Sequence, residues 1–102
     1  MEPNGLNAYM IQVRELVDAK GFSSDESNVW QMLALIHTEV SEAADAFKKG
    51  HSYDEVGTEL ADAIIRILHL CSALGVDIET LFQAKMDKNW QRPYRYNLAR
   101  GE

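Results

Sequence analysis

Between Glu59 and Leu74 the chain carries apolar side chains at almost every angular position of a helix. Leu60, Ile64, Ile67, Cys71 and Leu74 recur at three-four spacing as a core seam, and Ala61, Ala63, Ile65, Leu68 and Leu70 leave most of the remaining circumference apolar. The polar groups fall almost entirely on one stripe, formed by Glu59, Asp62, Arg66 and His69. A helix that is apolar nearly all round is normally buried. Its single polar stripe must then face an internal cleft or a partner, and buried carboxylates need cations or hydrogen-bond donors. Whatever fold the chain adopts has to meet that requirement.

The rest of the sequence also reads as helix, with no run of strand-like alternation. A first helix is expected from about Asn7 to Lys20, with Leu6, Met10, Val13 and Leu16/Val17 at helical spacing and Gly21 as its stop. Phe22 to Ser27 forms a loop rich in N-cap candidates. The second helix runs to Lys49, with Gly50 where a left-handed cap belongs. Ser52-Tyr53-Asp54-Glu55 is a capping box that opens the third, which ends near Leu74-Gly75. Asp77 caps a fourth helix that runs to about Gln91 before Pro93 stops it, and a short polar tail follows from Tyr94. Short loops favour antiparallel neighbours. The expectation is an all-α, antiparallel bundle of about four helices in a single domain, 1–102. A chain of 102 residues buries a modest core, so oligomerisation is expected to complete it.

Composition narrows the function. Sixteen acidic against ten basic side chains leave a formal net charge of -6, the wrong sign for a protein held to nucleic acid by phosphate contacts. An acidic protein that handles phosphates needs a cation between its carboxylates and the substrate. Cys71 is the only cysteine, and residues 1–5 have neither the basic start nor the apolar stretch of a signal peptide, so a cytoplasmic setting is expected. The apolar stretch from Ala61 to Leu74 is interrupted by Asp62, Arg66 and His69 and falls short of the roughly 20 residues that span a bilayer. No membrane is implied.

Helix two carries its own pair of stripes. Leu33, Ile36, Val40, Ala43 and Phe47 follow the spacing of a core seam, and Met32, Leu35, Glu39, Glu42 and Ala46 form a second series roughly 80–120° around the helix. The polar face is elsewhere, at His37, Thr38, Ser41, Asp45, Lys48 and Lys49. Glu39 and Glu42 therefore interrupt a stripe that is apolar at both ends. The full pattern is Glu39-x2-Glu42 followed by Glu59-x2-Asp62. The i, i+3 spacing puts both carboxylates of a pair on one face. Two antiparallel helices can then aim four carboxylates at one point, and like charges so close need compensation. Hard oxygen ligands suit Mg²⁺ or Mn²⁺ rather than Zn²⁺ or copper.

The run Leu35-Ile36-His37-Thr38-Glu39-Val40-Ser41-Glu42-Ala43, then Glu59-Leu60-Ala61-Asp62-Ala63-Ile64-Ile65-Arg66-Ile67-Leu68, resembles the MazG-like nucleoside triphosphate pyrophosphohydrolases. Leu74-Gly75-Val76-Asp77 and the stretch from Lys85 to Tyr94 are similar too, so the likeness spans roughly Trp30 to Tyr96. The resemblance implies an all-α fold, Mg²⁺ held by Glu39, Glu42, Glu59 and Asp62, and a homodimer or dimer of dimers. It also implies cleavage of a nucleoside triphosphate to monophosphate and pyrophosphate. A house-cleaning role against modified or surplus deoxynucleotides fits it, although no residue selects a base or sugar. Lys85 and Asn89 match positions that look like phosphate or substrate contacts, and their i, i+4 spacing lets them reach one spot. Arg92 adds a bidentate phosphate donor. The tail departs from the family pattern, with Tyr96-Asn97 where relatives often have His-Gly.

The same four carboxylates supply the candidates for catalysis, with Glu42 as the proposed proton acceptor from an attacking water. Arg66 is expected to pair with a carboxylate across the cleft or an interface. His69, two turns from Asp62, reads as a partner for Arg66 or an interface residue rather than a ligand. Trp30, Phe22 and Trp90 are candidates for a base pocket or for core and interface packing. Two other readings compete. One is a phosphoribosyl-ATP-type substrate on the same scaffold, and the other is a non-catalytic helical interaction or regulatory protein. A di-iron bundle would need Glu-x-x-His motifs, and the sequence has none.

Overall fold

The computed structural model describes residues 5–21 and 26–93. They form four helices: α1 (Leu6–Lys20), α2 (Val29–Lys48), α3 (Tyr53–Leu74) and α4 (Ile78–Gln91), with a 3₁₀ turn, Glu26–Asn28, leading into α2. No strand occurs among the described residues. The expected loop caps at Ser23 to Asp25 and the tail from Tyr94 lie outside the described residues. Asn28, rather than a residue of the expected capping loop, occupies the N-cap of α2.

The boundaries follow local chemistry. Ser52 and Glu55 complete the reciprocal box at the start of α3: the Glu55 N–H donates to Ser52 Oγ at 3.1 Å and the Ser52 N–H to Glu55 Oε1 at 2.9 Å. Gly50, at φ +79°, closes α2 while the Gly50 and His51 N–H groups donate to the carbonyls of Phe47 and Ala46. Only a residue free of a Cβ adopts that left-handed turn readily.

Helix α3 is the centre of the molecule. It forms an antiparallel hairpin with α2 on one side and packs against α1 on the other. Val13, Val17 and Leu68 make the buried nucleus between α1 and α3, with Met10 and Ile78 packed on it. Helix α4 buries no residue and attaches mainly to α1. That attachment is a clasp at Asn7. Its Nδ2 donates to Asp77 Oδ1 at 2.7 Å, its backbone N–H donates to Glu79 Oε1 at 3.0 Å, and its Oδ1 accepts from the Glu79 N–H at 3.1 Å.

The apolar seams are not where spacing alone would put them. Helix α2 turns Met32, Glu39, Ala43 and Ala46 inward and leaves Val40 and Phe47 in the open. On α3, Ala63, Leu68 and Leu70 are buried, whereas Leu60, Ile64, Ile67 and Leu74 are each at least 40% exposed. The buried alanines explain the choice, because small side chains allow close helix approach and the bulkier seams are turned away from it.

Candidate metal centre

The α2–α3 hairpin sets the two acidic pairs side by side. Carboxylate oxygens of Glu39, Glu42 and Glu59, one from each residue, all lie within 4.8 Å of one another. That spacing is close enough for the three carboxylates to hold one divalent cation between them. Glu39 is buried, Glu59 is half-buried and Glu42 is exposed at the rim. Proximity has an electrostatic signature: the charge of Glu39, then desolvation and the charge of Glu59, raises the Glu42 carboxyl above its ordinary pKa. An oxygen-only set of crowded carboxylates fits a hard divalent cation.

Asp62, the fourth expected ligand, is exposed and stands outside this group. It sits one turn from both Glu59 and Arg66, level with the site. Its side chain is one methylene shorter than glutamate, which limits its reach. Arg66 meets the expectation of a partner across the cleft, since its Nε donates to Glu39 Oε2 at 2.6 Å. Sequence could name Arg66 as a partner for some carboxylate but could not say which.

His69 lies on the same stripe, one turn beyond Arg66. Its Nε2 is buried without a hydrogen-bond partner among the described residues. Burial first, then the charges of Arg14 and Arg66, lower its pKa, so the ring is neutral. Arg14, on α1, has no sequence proximity that could have announced it.

Helix α4 carries the remaining candidates away from the hairpin face it was expected to serve. Lys85, Asn89 and Arg92 are exposed, α4 packs on α1 rather than α2, and the described contact of this group is Arg92 Nη1 donating to Asn89 Oδ1 at 3.4 Å. Trp30 and Trp90 are both more than 80% exposed, and Phe22 lies outside the described residues, as do Tyr96 and Asn97. Two open grooves of about 500 and 290 Å³ border α1, the second lined by Tyr9, Val13, Ala61, Ile64, Ile65 and Leu68 among others. None of the seven candidate residues lines either one.

Residues 28–96 match the family described as the MazG nucleotide pyrophosphohydrolase domain, a span that holds α2, α3, α4 and all seven candidates. The chain belongs to that family. No curated protein and no solved structure matches it. Membership in the MazG family supports nucleotide pyrophosphohydrolase-type activity in general, and the family is typically dependent on divalent metal. No helix among the described residues is long and apolar enough to cross a membrane.

Proposed function

We propose that this MazG-domain protein hydrolyses nucleoside triphosphates to monophosphate and pyrophosphate, with Mg²⁺ (or Mn²⁺) held by Glu39, Glu42, Glu59 and Asp62. The observation that carries the reading is the convergence of Glu39, Glu42 and Glu59 between α2 and α3. Asp62 enters as the fourth ligand by a rotamer change from its exposed position one turn away. When bound, a divalent ion neutralises the triphosphate oxygens and so eases attack of water at phosphorus.

The protein's own groups do the rest. Glu39, buried and paired with Arg66, is a fixed anchor. Glu42, at the solvent rim, accepts the proton of the attacking water. Lys85, Asn89 and Arg92 contact substrate phosphates and act from a neighbouring copy in a homodimer or dimer of dimers. The support for that assembly is the exposed α4 together with the uncovered seams of α2 and α3.

The test is pyrophosphate release from a panel of common and modified nucleoside triphosphates, with phosphoribosyl-ATP included, in Mg²⁺ and in chelator. Turnover that requires Mg²⁺ and falls at least ~100-fold in Glu39→Gln and Asp62→Asn is expected, the scale of losing a transition-state electrostatic contact. Absence of turnover with every nucleotide, or turnover indifferent to both substitutions, overturns the reading. Phosphoribosyl-ATP as the only substrate would move the chemistry to that ester on the same scaffold.

A further inference from the structure

Glu39 is the one buried charged residue among those described. A carboxylate taken out of water needs a fixed donor. The donor here is Arg66, and the way it is used is specific. Arg66 has an acidic residue one turn back on its own helix, Asp62, and an i, i+4 pair is the usual arrangement for an arginine on a helix surface. It reaches across to α2 instead, at 2.6 Å through Nε. Its side chain is 39% exposed against 11% for that of Glu39, so the guanidinium spans from solvent to the buried carboxylate. A short, charge-assisted bond from a planar group is directional as well as strong. It engages Glu39 through Oε2.

We propose that Arg66 is a positioning residue for the metal centre: by holding Glu39 at Oε2 it fixes the orientation of the carboxylate that would share a cation with Glu42 and Glu59. This rests on the metal-dependent reading above. The alternative consequence of a cation in this place is plain repulsion, in which Arg66 would oppose a divalent ion and its removal would tighten binding. Orientation and repulsion therefore predict opposite signs. The directional nature of the bond favours orientation, because Lys at this position keeps the charge but loses the Nε–H that sets the angle.

Calorimetric titration of the full-length, nucleotide-free protein with Mn²⁺ and with Mg²⁺ decides between them, run on wild type, Arg66→Gln, Arg66→Lys and Glu39→Gln. Wild type binds, and both Arg66 variants bind roughly 10–100-fold more weakly, the scale seen when a residue that orients a metal ligand is lost. Raising the cation concentration restores kcat of Arg66→Lys towards wild type, which a general loss of structure would not permit. Thermal unfolding in chelator confirms that Arg66→Lys is folded, so a failure of Arg66→Gln to fold leaves the comparison intact. Wild-type affinity or tighter binding in Arg66→Lys overturns the role of Arg66 while leaving the metal centre standing. No cation binding by wild type removes the centre and this role together.

Discussion

Glu42 shows how one side chain reports on a whole site. Its carboxyl is raised chiefly by the charge of Glu39, so in metal-free protein the native state holds a proton that the unfolded chain releases more readily. The sign follows: metal-free stability falls as pH rises through the ordinary glutamate range into the raised one. Glu42→Gln removes the repulsion, so its Tm in chelator lies above that of wild type at neutral pH and varies less with pH. Saturating Mg²⁺ reverses the order, because wild type gains and the variant gains less. At about 100 times its Kd the ion adds ~2.7 kcal/mol, a Tm rise of roughly 10–20 °C for a domain of this size. Thermal scans of both proteins across pH 4–8, with and without Mg²⁺, check this; a parallel pH slope in the two would contradict it. At this scale the sequence was legible where helical spacing does the work, because i, i+3 pairs share a face whatever the tertiary context. It was silent on the contacts of Asn7 with Asp77 and of Arg14 with Ser72, 70 and 58 residues away, and on the relative reach of Asp62 and the glutamates.

Helix boundaries were legible because they are written in local chemistry. Ser52 with Glu55, Gly50, Gly75 and Asp77 all act where their residue types suggest. Ser52→Ala is expected to cost about 1 kcal/mol by orphaning the N–H at Glu55, and Ser52→Asp to cost little. Denaturant titration at constant m-value checks the pair. Asp77 offers a second test with a sign of its own. The Asn7 amide, then the Thr80 backbone N–H and hydroxyl, hold its carboxyl below the usual aspartate range. A depressed pKa contributes stability that is present above the unfolded value and is lost as pH falls through the folded one. Wild type therefore loses the tie between α1 and α4 below about pH 4, whereas Asp77→Asn, which still caps, shows a flatter acid limb. What local signals could not settle was rotation about the helix axis. Spacing named Leu33, Ile36, Val40, Ala43 and Phe47 as the core seam of α2, whereas the buried residues are Met32, Glu39, Ala43 and Ala46, three of them from the second stripe.

The described helices leave large apolar side chains in the open. No side chain among the described residues is fully buried. The exposed ones include Val40 and Phe47 on α2, Leu60, Ile64 and Ile67 on α3, and Leu81, Phe82 and Met86 on α4. Exposed apolar area of this extent is what an interface leaves behind when its partner is removed. In the proposed assembly a second copy would also bring its α4, and with it Lys85 and Asn89, to the α2–α3 hairpin. Sedimentation at micromolar concentration is then expected to give a dimer or tetramer, with a Tm that climbs with protein concentration because folding and association are linked. Phe47→Glu and Ile64→Glu, each placing a charge on an exposed seam, should lower that Tm and shift the sedimentation profile towards monomer. A compact monomer in wild type, with a Tm independent of concentration, would mean that the seams are covered by something other than this chain.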